Sequence, residues 1–369
     1  MTQLRIVCRP LPALPELAGL WRDLEARADS SFFLSWHWIG AWLKASGLAP
    51  VVLEVRAGER VVGLALLQAA RQRRHGLIRS RRLLLHEAGD AALDVVAIEY
   101  NGILSDREQA PEVRRTVIDF LVRGDDAALP AWDELRFGGV PTAYEAALGA
   151  SGLAVHVAAR GRCTTVDLPA LRAAGQPYLA TLGPNTRQQI RRAMRHYEMR
   201  GPLAVKSARD LAEAERFFAS LEALHEPSWR ARGKRGAFSQ PFARALHRQL
   251  IADSFADGGV ELLRIAAGEH VVGYLYNFLY RGWVGAYMSG FQYEADARVK
   301  PGLVSFALAI ERHEALGNRT FDFLAGESRY KASLGEPGEE LLWLDLQRPR
   351  LAFRIESGLR CLRQALRPR

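Results

Sequence analysis

Apolar and polar positions along the chain divide it into two stretches that repeat one order of elements. In the first, Arg5-Ile-Val7 reads as a strand, and Leu17, Leu20, Trp21 and Leu24 recur at helical spacing. Trp38, Ile39, Trp42 and Leu43 share one face of a second helix, with Ser35 placed to cap it. The runs Val51–Val55 and Val61–Gln68 predict a hairpin around Ala57-Gly-Glu59. Strand-like runs follow at Leu83–His86 and Val95–Ile103, then a helix over Val113–Leu121. A short strand at Glu134–Phe137, a helix over Tyr144–Leu148 and a last strand at Val155–Val157 complete the stretch.

The second stretch repeats this. Leu203–Lys206 is a strand, and Leu211–Leu224 and Ser239–Ile251 are helices. Val260–Ile265 and Val271–Tyr280 form a hairpin, and Trp283–Phe291 is a third strand. Leu303, Phe306, Ala307, Ile310 and Leu316 then mark a helix that stops at Gly317, followed by strands at Arg319–Leu324 and Leu341–Leu346. The two hairpin turns are nearly the same: Ala57-Gly-Glu-Arg-Val-Val-Gly63 and Ala267-Gly-Glu-His-Val-Val-Gly273. The order of elements thus predicts an internal repeat. At 369 residues two domains are the natural division. We place them at 1–165 and 202–369, joined by a basic helical segment over 166–201.

Composition narrows the class. A hydrophobic share of 49% with 25% charged residues is that of a soluble globular chain. No run of eighteen apolar residues predicts a membrane-spanning helix, and Met1-Thr-Gln-Leu-Arg-Ile lacks the form of a signal peptide, so a cytoplasmic location is expected. Cys8, Cys163 and Cys361 form neither a disulfide framework nor a metal spacing, and the nine histidines have no ligand spacing, so no metal is expected. Walker, Gly-x-Ser-x-Gly and His-Glu-x-x-His motifs are absent from the sequence. The net charge of +9 favours anionic partners. Lysine is scarce among the basic residues, so Lys300 and Lys331 stand out.

Three stretches carry candidate chemistry. The strand Trp283–Phe291, the helix opened by Pro301-Gly302 and the strand after it form a βαβ unit with a right-handed crossover. Pro suits the first helical turn, and the free amides beside it suit an anion, although a Pro-Gly can simply start a helix. In Asn185–Gly201, Ile190, Ala193, Met194 and Tyr197 form one stripe, and Arg187, Arg191 and Arg195 lie on another face. Arg187 and Arg191 could grip a phosphate bidentately, or the face could merely be solvated. In His225–Gly236, Trp229 with Arg230, Arg232, Lys234 and Arg235 suits an aromatic, phosphate-bearing ligand; the plainer alternative is a loop with its Trp pinned to the core.

At Lys300-Pro-Gly-Leu-Val304, at Phe321-Asp-Phe-Leu-Ala-Gly326 and at Tyr330-Lys331 with Leu334-Gly335, the sequence resembles acetyltransferase-like (GNAT) proteins of the CelD-type and FemABX groups. The last pair is similar to the Phe-Lys-x-x-Phe-Gly signature of FemABX transferases. The resemblance takes in Asn185–Gly201 and extends more weakly over nearly the whole chain. It implies an α/β fold of mixed sheets arranged as two tandem GNAT domains. It also implies an N-acyltransferase that moves an acyl group from acyl-CoA to an amine of a sugar-derived or cell-envelope precursor. On this resemblance Lys331 stabilises the charge that develops on the carbonyl oxygen, Asp322 orients it or accepts a proton, and Tyr330 completes the catalytic group. Ser289, Lys300, Gly302, Leu303, Val304 and Ser305 hold the donor, and Trp229, Arg230, Arg187 and Arg191 hold the acceptor.

The acyl-CoA loop of ordinary GNAT enzymes is Gln/Arg-x-x-Gly-x-Gly/Ala. Here Arg298-Val-Lys-Pro-Gly-Leu303 puts Pro301 at its first Gly. FemABX enzymes use aminoacyl-tRNA instead, so that donor stands as an alternative. A non-catalytic accessory module of polysaccharide biosynthesis is another. A general RNA-binding protein fits less well, because no RNP or zinc-knuckle motif is present.

The tail from Arg348 to Arg369 sets Leu351, Ile355, Leu359, Leu362 and Leu366 on one face, with Arg354, Arg360, Arg363 and Arg367 off it. This predicts a basic amphipathic helix that docks on its own domain or contacts an anionic membrane.

Overall fold

The computed structural model describes residues 3–356 except 75, 76, 97, 125, 232, 234, 297 and 327. They form two compact units. The described residues of the first fall in Met1–Leu43, Gly47–Arg160 and Leu341–Arg369; those of the second fall in Lys44–Ser46 and Gly161–Glu340.

The first unit contains β1 (Leu4–Arg9), α1 (Leu14–Arg27), α2 (Trp36–Ser46, whose last residues group with the second unit), β2 (Val51–Ala57), β3 (Arg60–Arg74), β4 (Ile78–Leu85), β5 (Leu104–Ser105), α3 (Ala110–Arg123), β6 (Glu134–Pro141) and α4 (Ala143–Gly149). The Ser35 hydroxyl caps α2 by accepting the Trp38 N–H, and Gly47 ends it in the left-handed conformation that only glycine adopts cheaply. The next strand, β7 (Ala154–Asp167), runs into the second unit.

That unit holds α5 (Leu168–Ala174), α6 (Tyr178–Thr181), α7 (Pro184–Glu198), β8 (Leu203–Ser207), α8 (Leu211–Ala231), α9 (Pro241–Ser254), β9 (Val260–Ala267), β10 (His270–Tyr280), β11 (Trp283–Phe291), α10 (Pro301–Ala315), β12 (Thr320–Ala325) and α11 (Arg329–Leu334). The last strand, β13 (Glu336–Gln347), begins there and ends in the first unit. Its sheet runs β7-β12-β11-β10-β9-β8. The sheet of the first unit runs β1-β2-β3-β4-β6 and is completed by the end of β13.

The repeat of elements is present, but the boundaries differ from those expected. Leu341–Gln347 pairs antiparallel with β6, from Leu341↔Pro141 to Gln347↔Glu134, and so belongs to the first unit. Leu342, Leu344 and Leu346, all fully buried, fill the core around Phe137 and Leu135. The end of β7 pairs antiparallel with β12 and closes the second sheet instead. Each repeat therefore lends its last strand to the other. Nor is 166–201 a connector, since Leu168, Leu171, Tyr178, Ile190, Ala193 and Tyr197 lie in the core of the second unit.

Two further differences concern single segments. The described residues of Val95–Ile103 form no strand. Residues 351–356 are helical, but the buried side chains are Phe353 and Glu356, while Leu351 and Ile355 of the expected apolar stripe face out. The rest of that stripe, from Leu359 on, lies outside the described residues. No helix among the described residues is long and apolar enough to cross a membrane.

Two histidines are buried in neutral form. His86 meets the Asn101 side chain at 2.8 Å, and burial pushes its pKa down to about 4. His247, fully buried without a hydrogen-bond partner, is pushed down to about 3. In the unfolded chain both would bind a proton near pH 6.5. Protonation then favours unfolding, so stability falls as pH drops from about 6.5 toward 4. Urea midpoints measured across this range should show the fall, and His247→Phe should flatten it. A second expectation concerns the exchanged strands: a fragment of residues 1–165 lacks Leu341–Gln347 and should unfold without a sharp transition. Cooperative melting of that fragment would contradict the exchange.

Candidate active site

The site grows from a place where two parallel strands part. In the second unit β11 and β12 pair for only three residues: Trp283↔Thr320, Val284↔Phe321 and Gly285↔Asp322. Both strands then bulge, β11 at Tyr287 and β12 between Asp322 and Ala325. Bulges of this kind bend a strand and end its pairing. The register between the two strands ends at Gly285 and Asp322.

The first unit has the same junction. β4 and β6 pair in parallel over Arg82↔Glu134, Leu83↔Leu135 and Leu84↔Arg136, then part. There the gap is filled by the chain itself. The buried Asn101 donates from Nδ2 to the carbonyls of Leu85 on β4 (3.0 Å) and Gly138 on β6 (2.9 Å), and its N–H donates to Gly139 O (2.9 Å). Gly139 has a φ of +66°, and a Cβ there would fall 2.2 Å from the Ile98 carbonyl oxygen. The two registers make Arg136 the counterpart of Asp322. Arg136 is engaged with Glu87 and Asp345.

The bulge of β12 is held from two sides. Leu324 is buried, with a φ of +62°, a conformation that a branched side chain adopts at a cost. Asp322, only 1% exposed, accepts the Leu324 N–H at 2.7 Å and the Trp283 indole N–H at 3.0 Å. The Lys331 ammonium donates to the carbonyls of Leu324 and Ala325, each at 3.0 Å. Asp322 and Lys331 thus grip the two ends of one strained residue. The Trp283 ring lies over Gly285, where a Cβ would fall 2.2 Å from it, so this strand needs glycine two residues after its tryptophan. Glu339, on β13 and accessible, has its carboxyl pushed up by partial burial and then by the charge of Asp322.

Tyr330 stacks on Phe306 with ring centroids 5.7 Å apart and planes 10° apart. Phe291 and Phe323 meet the same ring edge-on. One aromatic group therefore joins the end of β11, α10, β12 and α11. It brings Tyr330 and Lys331 to the mouth of α10, where Lys300 precedes the first turn without a side-chain cap.

Not every residue expected at that mouth is available to a donor. The Val304 N–H is bonded to Lys300 O at 3.1 Å, and Ser305 lies a full turn inside the helical ladder. The side chains of both are fully buried in the core. Pro301 has no N–H, so Gly302 and Leu303 are left as the amides that helix geometry leaves unbonded. Ser289 lies on β11 beyond the parting point, and its carbonyl is 2.9 Å from His225 Nδ1.

The expected acceptor residues are dispersed. Arg187 donates to the Ala180 carbonyl at 3.1 Å and so ties α6 to α7 rather than standing ready for a phosphate. Arg191 is exposed on α7. Trp229 meets the ring of His225 at 5.6 Å, which links it to β11 through Ser289, and Arg230 is exposed one residue on. Arg232 and Lys234 lie outside the described residues.

Some groups were not foreseen from the sequence. Beneath β11, His247 packs against Tyr276 and Tyr287, with centroids 5.6 and 5.1 Å away. Both ring nitrogens of His247 and the Tyr276 hydroxyl are buried without a hydrogen-bond partner in the protein. Buried polar atoms are seldom left so. Trp283 and the signal around it, Trp-Val-Gly285, could have been read from the chain. The histidines could not, because nothing in their spacing sets them apart from core residues. No three His, Cys, Asp or Glu among the described residues are arranged to hold a metal.

Comparison with known proteins fits this geometry. Residues 184–332 match the family model of the acetyltransferase (GNAT) domain. The second unit thus carries an acyltransferase domain of the GNAT type, and the chain is an acyltransferase by class. In three dimensions the chain is similar to FemX, with 11% identity, a TM-score of 0.57, and coverage of 94% of this chain and 99% of that one. It is similar also to L-PGS from Bacillus licheniformis, with 12% identity, a TM-score of 0.54, and coverage of 94% and 96%. At such identities the likeness is one of fold, and it spans both units. No curated protein matches the chain in sequence.

The clamp on Leu324 gives a direct expectation. Asp322→Asn keeps one acceptor oxygen but turns an NH₂ toward one of two donors, the Trp283 indole or the Leu324 N–H. The loss should be about 1–3 kcal/mol, read from urea unfolding. A variant as stable as the parent would mean the carboxylate does not hold the bulge.

Proposed function

We propose that the second unit is an N-acyltransferase acting at the open junction of β11 and β12. It would take an acyl group from acyl-CoA to the amine of a sugar-derived or cell-envelope precursor. The observation that carries this reading is the edge of β11 beyond Gly285, where its pairing with β12 ends, together with the unbonded amides of Gly302 and Leu303. An extended donor arm with amide groups can pair with such an edge as a strand would, and its phosphates suit the helix mouth and Lys300.

In this reaction the amine nitrogen attacks the acyl carbonyl, the thiol leaves, and the amine gives up a proton. Charge builds on the carbonyl oxygen, where a preorganised donor lowers the barrier most. Lys331 is the candidate donor, held at the end of β12 by the carbonyls it already grips. Asp322 positions this segment through Leu324, and Glu339, with its raised pKa, is the group nearest in chemistry to a base. Tyr330 forms the rim through its stack on Phe306. Trp229 and Arg230, with Arg191 on α7, remain the acceptor contacts we favour.

One observation supports a second donor. Pro301 removes an amide from the helix mouth, leaving fewer donors for a pyrophosphate, and the shared fold includes FemX. An aminoacyl ester of tRNA would need fewer such contacts.

Calorimetric titration with acyl-CoA and with aminoacyl-tRNA tests both readings. Gly302→Val should weaken the true donor at least tenfold, because a Cβ there already falls 3.1 Å from the Phe291 ring. Unchanged binding of both donors would overturn the anion site. Lys331→Met should lower kcat by about 10²–10³ with donor affinity kept, the usual loss for one donor to a developing charge. Activity within about threefold of the parent, well short of that loss, would remove Lys331 from the mechanism.

A further inference from the structure

In the second unit, the loop that leads from β11 into α10, residues 292–300, is gripped by an arginine. Arg200 stands just past the end of α7, where the chain turns against the hairpin of β9 and β10. Gly201 has a φ of +136°, and a Cβ there would fall 2.8 Å from Gly268 Cα, so this close approach requires glycine. The turn sets the Arg200 guanidinium among three elements. It donates to both carboxylate oxygens of Glu294 at 2.7 Å, to His270 Nε2 at 2.8 Å and to His196 Nε2 at 3.1 Å. A guanidinium only donates, so both imidazoles accept through Nε2. The Tyr197 ring centroid lies 5.7 Å from the same group.

Stability alone is a poor reason for this arrangement. The Arg200 and Glu294 side chains are 30% and 23% exposed, and ion pairs so close to solvent contribute little. What the pair does is place a loop. The loop begins at Gln292, whose N–H donates to Val272 O at 3.0 Å, and it ends at the buried Val299 beside Lys300. Asp296 and Arg298 pair at 2.6 Å and make a turn inside it. Glu294 reaches out of it, to the end of α7 and the start of β10. Arg200 thereby holds the stretch that joins the parted edge of β11 to the amides of Gly302 and Leu303.

We infer that Arg200 is a positioning residue for the acyl donor. Its bidentate grip on Glu294 presets the 292–300 loop, so that Lys300 and the mouth of α10 meet the donor's phosphates without first being ordered. A ligand that must order a loop loses affinity in doing so, and a loop already held spares that loss. Arg200 acts through Glu294 and not by contact with the donor. The inference rests on the donor reading of the α10 mouth. It adds a residue that the helical spacing of Arg187, Arg191 and Arg195 passes over.

Hydrogen exchange of the full chain without donor, and calorimetric titration with acetyl-CoA and with mixed aminoacyl-tRNAs, test it together. R200A and E294A should each raise exchange over residues 292–296 about fivefold or more. Each should also weaken the donor that the parent binds about tenfold. Because the two residues act as one pair, R200A/E294A should bind no worse than either single variant. K206A breaks the Lys206–Glu213 pair between β8 and α8 and should leave donor affinity unchanged, which separates positioning from a general loss of stability. Melting curves check folding, and should R200A unfold, E294A carries the test from the loop side. Unchanged exchange in both variants overturns the inference whatever the donor. Raised exchange with parental donor affinity, additive losses in the double variant, or an equal loss in K206A overturns it too and leaves the donor reading standing. A parent that binds neither donor removes the donor reading, and the inference with it.

Discussion

A parallel strand pair that separates inside a fold leaves backbone N–H and C=O groups with nothing to bond, at about 1–3 kcal/mol for each group buried unmet. Both units face this problem at the same position, after three residues of pairing. The first meets it with Asn101, whose amide and backbone join both strands at once. In the second, β11 and β12 part after Gly285 and Asp322, and a bulge follows on each strand. Most of the contrast between the units follows from that choice: a sealed, ion-paired junction around Arg136 in one, and an open one around Asp322 in the other.

The junction of the second unit has a support of its own. Here the support is a residue held out of its preferred conformation. A left-handed Leu324 costs roughly 1–2 kcal/mol, and the Asp322 and Lys331 contacts hold it from both sides. The side chains that resemblance assigns to chemistry are therefore also the ones that set the shape of the strand. A measured loss of activity at either position mixes two effects, and only a separate reading of stability divides them.

Much of this was legible in the chain. The repeated Ala-Gly-Glu-x-Val-Val-Gly turns gave the hairpins, and the apolar stripe of Ile190, Ala193 and Tyr197 gave the buried face of α7. What escaped was non-local. Leu341–Leu346 is an apolar run, which declares burial but not the sheet it joins. The Ala180 carbonyl that occupies Arg187 is invisible to helical periodicity, because it belongs to the preceding helix. At the tail, Leu351 and Ile355 matched a buried stripe in spacing, yet Phe353 and Glu356 face inward, because Arg74 offers Glu356 a partner on that side.

The exchange of last strands has a consequence for how the protein is made. Pro141 pairs with Leu341, which leaves the ribosome two hundred residues later. At 5–20 residues per second this is a wait of roughly 10–40 s. Throughout it, the apolar edge of β6 has no strand to cover it. The first unit to be synthesised is thus among the last to be finished, and the nascent chain presents a sticky edge for most of its translation. Such a chain calls for a chaperone or for slow dilution on refolding, and its yield should depend on the speed of the ribosome more than on the stability of the finished fold.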